Sequence, residues 1–264
     1  MRRKPLAVNT SQSYTLLLEV LFALAAGLVG CFALMKRMLL ASDVLSHLAL
    51  PGLGLAFLLK MNPLAGGAAT LFLGTLLVWQ LQKKTGLAAD ASIGVVFAAA
   101  LAIGAMLTPS EDLVEALFGA AQKLSVTGLL LGLAAAAGVI LAVLGIKNRL
   151  TLTVFSPELA AATGLRVDRL ELSFLLVFSV TILIGLRFMG ALLSSALIIL
   201  PAATARQMTS GLSRFMIVSM AVSVLSVLAG SFTNAFVFRA STAGPAIVIF
   251  SAAFFGLSLL KRTK

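Results

Sequence analysis

The chain is predicted to be all-α, a polytopic membrane bundle of eight or nine transmembrane helices with one short helix on its cytoplasmic face. Hydrophobic residues make up 60% of the 264 and charged residues only 11%, whereas a soluble domain carries about 25% charged residues. Repeated apolar stretches approach the roughly 20 residues that a helix needs to cross a bilayer. They are continuously apolar and lack the period-2 alternation of a transmembrane β-barrel.

Nine apolar stretches follow one another with short connections, which predicts a single transmembrane domain over 1–264. They run over 15–35, 44–59, 63–81, 90–108, 124–146, 170–187, 189–205, 213–237 and 243–260. The number of crossings is eight if the two short stretches around Arg187 form one span, and nine if they are separate. Residues 1–13 have a charged start but lack the apolar core of a signal peptide. They are predicted to be flexible or to lie along the membrane surface.

The net charge of +11 is explained by orientation in the membrane, without a nucleic-acid partner. Lys and Arg concentrate in cytoplasmic loops, and here they cluster at alternate ends of successive spans. These clusters are Lys36/Arg37, Lys83/Lys84, Lys147/Arg149, Arg166/Arg169, Arg206/Arg214 and Lys261/Arg262/Lys264. The opposite ends carry Lys60, Glu111, Asp112, Glu115 and Arg239. The C-terminus is therefore predicted to be cytoplasmic. With nine spans the N-terminus is outside, which conflicts with the charges of Arg2, Arg3 and Lys4.

Asp43 and His47, the only histidine, are candidate metal ligands in an otherwise apolar stretch. Residues four apart share one face of a helix. A carboxylate and an imidazole together suit zinc, manganese or iron, and an ionisable residue at membrane depth costs about 2.5–3.5 kcal/mol, which favours a functional role. A buried hydrogen-bonded pair joining two helices is the alternative, and the spacing alone does not decide between the two.

Other residues in or near the spans have simpler explanations. Pro51 is expected to kink or break the helix one turn after His47. Asp90 complements the dipole at a helix N-terminus, and Cys31 is expected to pack in a helix interior. Glu19 lies about one turn inside the first span and is a candidate for the transport pathway.

The longest cytoplasmic connection contains a short amphipathic helix over 156–164. Ser156 is its expected N-cap, Pro157 its first residue and Gly164 its C-cap, with Glu158 in the first turn. The segment is too short and too polar to span a membrane. A capped helix on the cytoplasmic face is suited to binding a partner protein.

Six motifs occur in the order seen in one family: SDVLSHLALPGLGLAFLL, NPLAGG, ADASIGVVFAAALAIGAML, FSPELAAATGL, FMGALLSSALIILPAATAR and TAGPAIVIFSAAFFGLSLL. From about Leu16 to Leu260 the chain resembles the transmembrane permease subunits of ABC importers for zinc, manganese and iron. The resemblance implies a homodimeric permease in the bacterial plasma membrane, with cytoplasmic ATP-binding subunits and an extracytoplasmic metal-binding protein. It implies a divalent transition metal ion as transported substrate and no permanently bound cofactor.

The same resemblance assigns roles to named residues. Asp43 and His47 match the family's metal-binding pair, and facing copies in a two-fold dimer would supply two carboxylates and two imidazoles. The segment 156–164 matches the coupling helix that docks on the ATPase. Its residues carried over to this role are Ser156, Pro157, Glu158, Leu159 and Gly164.

Two other functions agree less well with the sequence than an ABC importer permease does. An ion-coupled secondary transporter would show inverted repeats and paired membrane acids, and no convincing half-to-half similarity is visible. A hydrolase using Ser46 and His47 is disfavoured, because neighbouring helix residues diverge by about 100°. The chain has no Walker A sequence, so ATP chemistry is expected in a separate subunit.

Overall fold

The computed structural model describes residues 10–107, 126–238 and 243–260, and within these ranges the secondary structure is helical. The predicted all-α class is confirmed. The helices are α1 Thr10–Met35, α2 Ala41–His47, α3 Leu50–Leu58, α4 Pro63–Thr85, α5 Ala89–Leu107, α6 Val126–Phe155, α7 Pro157–Ala162, α8 Val167–Phe188, α9 Ala191–Met208, α10 Leu212–Thr233 and α11 Gly244–Leu260, with a π-helical segment, Asn234–Phe238, after α10.

Six of the described helices are long and apolar enough to cross a membrane: α1, α4, α6, α8, α9 and α10. The apolar parts of α5 and α11 are shorter. The predicted second span, 44–59, is divided between α2 and α3. Eight or nine crossings therefore remain a prediction. The first helix begins at Thr10, inside the segment 1–13 that was expected to be flexible or interfacial, and residues 1–9 lie outside the described ranges.

Two ion pairs show that the predicted cytoplasmic ends lie at one face of the bundle. Lys36, just after α1, contacts Glu171 of α8 at 3.4 Å. Lys83, in the last turn of α4, contacts Asp168 of α8 at 3.2 Å. The C-terminal ends of α1 and α4 therefore meet the N-terminal end of α8, as the charge distribution predicts.

The first helix lies at the centre of the bundle, because it packs against α6, α9 and α10. Glycines permit this close packing: a Cβ on Gly30 would overlap the main-chain carbonyl oxygen of Ile198 in α9. The Ser219 hydroxyl of α10 donates a 2.7 Å hydrogen bond to the Gly27 carbonyl oxygen. Cys31 is fully buried, and its Sγ lies 3.3 Å from the same Gly27 oxygen. Small residues thus bring helix backbones together, which is typical of membrane bundles.

A buried polar contact joins α4 to α8 in the apolar interior. The hydroxyl oxygens of Thr75 and Ser179 lie 2.6 Å apart, and both side chains are fully buried. Each hydroxyl also contacts a carbonyl oxygen of its own helix, Leu71 at 2.7 Å and Leu175 at 2.8 Å. The pair therefore satisfies its polar atoms and fixes how α4 and α8 pack together.

Candidate metal-binding and coupling sites

Asp43 and His47 both lie on α2, at the first and last turns of this seven-residue helix. Asp43 is exposed and His47 is half-buried. The described residues offer the Asp43 carboxylate no hydrogen-bond partner, and the Ser46 hydroxyl bonds instead to the Asp43 main-chain carbonyl at 2.6 Å. The geometry therefore differs from a sealed Asp–His pair between two helices. It leaves both side chains able to reach a ligand.

The short helix α2 packs against α4, α5, α8 and α9. The His47 ring lies 5.8 Å from the Phe97 ring of α5, measured between centroids, and is tilted by 54°. Leu40, directly before α2, is 72% exposed. Leu40, Asp43 and His47 are spaced by three and four residues and share one helical face. On that face Leu40 and Asp43 are exposed, whereas His47 is half-buried against α5.

The predicted break at Pro51 is found just before that residue. The helix is interrupted at Leu48 and Ala49, whose N–H groups bond to the carbonyl oxygens three residues earlier at 3.0 and 3.3 Å. The next helix begins at Leu50, so Pro51 lies in its first turn, where the missing N–H is tolerated. His47 is consequently the last residue before an interruption in the span.

The predicted cytoplasmic helix is present as α7, Pro157–Ala162, with Pro157 as its first residue. Ser156 occupies the N-cap position, but its side chain makes no capping hydrogen bond. The C-cap is Thr163, and Gly164 follows it with φ of +77°. The N–H groups of Gly164 and Leu165 bond to the carbonyls of Ala161 and Ala160. This is a Schellman ending, in which Gly164 supplies the left-handed conformation one residue beyond the observed cap, so the predicted cap at Gly164 is wrong by one residue.

Large apolar side chains are exposed on α7 and at the end of α6, which precedes it. Phe155, at the end of α6, is 72% exposed, and Leu159 is 54% exposed. Glu158 is also exposed, whereas Ala160 is buried against the protein. The end of α6 and the exposed side of α7 thus each carry one large apolar side chain that the described residues leave exposed.

The helix that follows α7 is tied to two other spans. The Lys36 ammonium lies over the Phe174 ring at 5.8 Å while it contacts Glu171. On the other side, Lys83 contacts Asp168 and lies 5.2 Å from the Trp79 ring. The sequence interpretation named both lysines as topology signals but missed these partners, because contacts across 85 and 135 residues have no local pattern.

The remaining predicted residues fall at several places. The Ser231 hydroxyl of α10 donates a 3.0 Å hydrogen bond to the Glu19 carboxylate, so Glu19 joins α1 to α10. Asp90 lies in the first turn of α5, where its charge complements the helix dipole. Arg187 is exposed in the last turn of α8. Outside the described ranges lie Arg2, Arg3, Lys4, Glu111, Asp112, Glu115, Arg239, Lys261, Arg262 and Lys264.

One surface of α5 was not identified from the sequence. Gly94, Ala98 and Ala102 recur every four residues and are exposed. A Cβ on Gly94 would have nothing within 4 Å. The structure shows that the described residues of the chain leave this stripe uncovered.

Comparison with known proteins decides the class of this molecule. The family model described as the ABC 3 transport family matches residues 12–262. The chain belongs to the ABC 3 transport family. It is therefore a multi-pass membrane permease subunit of an ABC importer, and it is a transport component with no catalytic role of its own.

Individual relatives and one solved structure agree with this assignment. The chain is 32% identical over 259 residues to the high-affinity zinc uptake system membrane protein ZnuB of Haemophilus influenzae, covering 94% of this chain and 97% of the relative. It is 29% identical over 248 residues to the manganese import system permease protein ScaB of Streptococcus parasanguinis, covering 92% and 88%. A chain of PsaBC from Streptococcus pneumoniae, solved in complex with Fab, superposes with a TM-score of 0.79 at 26% identity, covering 94% and 91%.

Membership of the ABC 3 family implies two kinds of partner, an ATP-binding subunit and a substrate-binding protein. It favours the ABC importer over the ion-coupled secondary transporter considered from the sequence. The metal ligands and the docking residues of this ABC 3 permease are inferred from its own geometry below.

Proposed function

We propose that this ABC 3 permease carries a divalent transition metal ion into the cytoplasm, with Asp43 and His47 as transient ligands for the ion in transit. The observation that carries the proposal is the exposed carboxylate of Asp43 one turn from the half-buried imidazole of His47, on one face of α2. The relatives described above belong to a zinc uptake system and a manganese import system, which supports zinc and manganese as candidates. Iron is retained as a third candidate because it accepts the same ligand types.

A metal site at α2 needs more ligands than one chain offers. Among the residues of 10–107, 126–238 and 243–260, no three His, Cys, Asp or Glu side chains cluster to hold an ion. Zinc prefers four ligands and manganese commonly takes six oxygen or nitrogen donors. A second copy of the chain, related by a two-fold axis, would bring a second carboxylate and a second imidazole to the same ion.

The stripe of Gly94, Ala98 and Ala102 is suited to that self-association. Small residues every four positions allow two membrane helices to approach closely. The stripe belongs to α5, which also carries Phe97 against His47. A partner copy packed on this stripe would therefore lie beside the face of α2 that carries Asp43 and His47, and both copies of these residues would face the shared axis.

The cytoplasmic helix α7 is proposed as the docking segment for the ATP-binding subunit. Ser156, Pro157, Glu158, Leu159 and Gly164 define it. Its exposed Leu159 and Glu158 would contact the ATPase, and Pro157 and Gly164 fix where the helix begins and ends. ATP binding or hydrolysis would displace α7 and, through the short connection to α8, reorient the spans around α2. Access to the ion would then alternate between the two sides of the membrane.

Uptake by the reconstituted complex tests the ligand assignment. Asp43→Asn and His47→Gln are each expected to abolish metal uptake in proteoliposomes, while the assembled complex retains basal ATPase activity. Asp90→Asn, which removes an exposed carboxylate at the start of α5, is the matched control and should transport normally. Normal uptake in both Asp43→Asn and His47→Gln would reject the proposal. Competition among zinc, manganese and ferrous ions in the wild-type complex identifies the substrate.

Self-association is tested separately. Gly94→Leu is expected to convert the purified permease from dimer to monomer, measured by mass photometry in detergent. Gly145→Leu, at an open position of α6, should leave the dimer intact. A dimer that survives Gly94→Leu unchanged would place the two-fold axis elsewhere.

Docking is tested by the double change Glu158→Lys with Leu159→Asp. It is expected to uncouple ATP hydrolysis from uptake and to leave metal binding unchanged. Ser213→Asp, an exposed change in the first turn of α10, serves as a control because an acid there suits the helix dipole. Fully coupled transport in the double variant would contradict the docking role of α7.

A further inference from the structure

An apolar groove runs along the outside of the bundle between α4 and α5. It has a volume of about 360 Å³. Its walls are formed by Leu73, Leu77 and Leu81 of α4 and by Val95, Ala99 and Ile103 of α5. The residues of each set are spaced by four, so each set follows one helical face. The groove therefore runs parallel to the axes of α4 and α5.

The length of the groove matches one leaflet of a bilayer. Its lining on α4 extends from Thr70 to Leu81, which at 1.5 Å per residue is about 16 Å. The hydrocarbon core of a bilayer is about 30 Å thick, so one leaflet contributes about 15 Å. The groove thus runs from the predicted cytoplasmic surface to about the middle of the membrane.

A cation lies at the cytoplasmic end of the groove. Lys84 follows Leu81 by three residues and Leu73 by eleven, which places it within about 20° of Leu73 around the helix. Lys84 is exposed, and it has no ionic partner among the residues that the structure describes. The neighbouring Lys83 is already paired with Asp168.

No acidic side chain among the residues that the structure describes pairs with this cation. Asp90, in the first turn of α5, is nine residues from Ala99 and therefore lies about 180° around α5 from the groove face. Asp168 belongs to α8 and contacts Lys83. The entrance of the groove is consequently basic where lipid phosphates lie and apolar below that level.

We propose that this groove is a binding site for one anionic phospholipid of the cytoplasmic leaflet. One acyl chain lies along Leu73, Leu77 and Leu81, and the phosphate contacts the Lys84 ammonium. Basic pockets between transmembrane helices at the cytoplasmic side recognise anionic headgroups in this way. A zwitterionic lipid such as phosphatidylcholine would fill the groove equally well, but the ammonium of its own headgroup offsets the phosphate charge, so Lys84 favours a lipid with net negative charge.

The position of the groove connects the lipid to the α2–α3 interruption. Leu48 and Pro51 contribute to its lining, and Leu48 directly follows His47. An acyl chain in the groove would therefore contact the interruption that ends the helix carrying the proposed metal ligands. Lipid composition is expected to alter transport through this contact.

Native mass spectrometry of the permease assembled with its ATP-binding subunit, exchanged into phosphatidylglycerol or phosphatidylcholine, tests the site. Wild type is expected to retain phosphatidylglycerol preferentially, and Lys84→Gln to reduce its retention about fivefold. Arg149→Gln, an exposed cation at the same face on α6, is the matched control and should retain the lipid. Equal retention of both lipids by wild type, or unchanged retention in Lys84→Gln, would overturn the proposal.

A second pair of variants tests whether an acyl chain occupies the groove. Ala99→Phe fills the groove and is expected to reduce phosphatidylglycerol retention, whereas Ala134→Phe places the same ring on an exposed position of α6 and should not. Ala99→Cys tests whether a second copy of the chain covers the groove instead of a lipid. A disulfide-linked dimer through Ala99→Cys would show that a second copy covers the groove and would overturn lipid binding there.

Discussion

The indole nitrogen of Trp79 donates a 3.0 Å hydrogen bond to the main-chain carbonyl oxygen of Asp168. This bond joins the last part of α4 to the first turn of α8 through the backbone, so it does not depend on the Asp168 side chain. Because only four residues separate the end of α7 from the start of α8, the proposed docking helix is held close to the spans that surround α2. The contacts at the start of α8 therefore lead directly to predictions.

The two ion pairs of α8 are expected to differ in their contribution to stability. Lys36 and Glu171 have side chains only 14% and 33% exposed, and Lys83 and Asp168 have side chains 53% and 60% exposed. Glu171→Gln leaves a half-buried ammonium unpaired and should lower the free energy of unfolding by about 1–3 kcal/mol. Lys83→Gln should lower it by less than about 1 kcal/mol. Thermal unfolding in detergent measures both.

A double variant controls for this comparison. Lys36→Met combined with Glu171→Met removes both charges and should recover part of the stability lost in Glu171→Gln. Equal stability losses in Glu171→Gln and Lys83→Gln would show that burial does not distinguish the two pairs.

The Thr75–Ser179 contact is expected to give a small but measurable coupling energy. Hydrogen bonds between membrane helices average about 0.6 kcal/mol in double-mutant cycles and reach about 1.7 kcal/mol. A cycle built from Thr75→Val and Ser179→Ala should give a value in this range, measured as differences in the free energy of unfolding. Strict additivity of the two single variants would mean that the 2.6 Å contact contributes nothing.

The crossing of α1 and α9 is expected to be intolerant of any side chain at Gly30. A Cβ there would overlap the Ile198 carbonyl oxygen, which belongs to rigid backbone. Gly30→Ala should destabilise the protein by several kcal/mol or prevent its accumulation in the membrane. Gly138→Ala on α6, where a Cβ has nothing within 4 Å, should be neutral or stabilise by about 0.5–1 kcal/mol. Comparable expression and melting temperature of the two variants would contradict the close crossing.

Lys60 is expected to be a position where glycine stabilises the fold. It has a φ of +54°, and the left-handed conformation costs a non-glycine residue about 1–2 kcal/mol. Lys60→Gly should therefore raise the melting temperature. Lys60→Ala removes the same charge but keeps the strain, so it should not raise it. A gain in Lys60→Ala equal to that in Lys60→Gly would assign the effect to charge.

The helical class and most helix positions could be predicted from the sequence, because apolar length and charge clustering are local properties. The start of α7 at Pro157 and the interruption before Pro51 follow in the same way from the missing N–H of proline. The cap of α7 was predicted one residue late, at Gly164, since in a Schellman ending the glycine lies one residue beyond the cap, which is Thr163.

The contacts between helices could not be predicted, because they depend on how distant segments pack. Nothing near Lys36 indicates that Glu171 is its partner, and nothing near Gly94 indicates that its face of α5 remains open. The placement of Asp43 and His47 one turn apart could be predicted because both residues belong to one short helix. Their exposure was not visible, since it depends on which neighbours cover α2.

The burial of Cys31 makes the permease suitable for thiol-directed labelling. It is the only cysteine of the chain, it is 0% exposed, and its sulfur contacts the Gly27 carbonyl. Maleimide reagents are therefore not expected to react with Cys31 in the folded molecule. A cysteine introduced by Leu40→Cys or Ala162→Cys would become the one reactive thiol, so a paramagnetic tag could report local motion during turnover without first removing a native thiol.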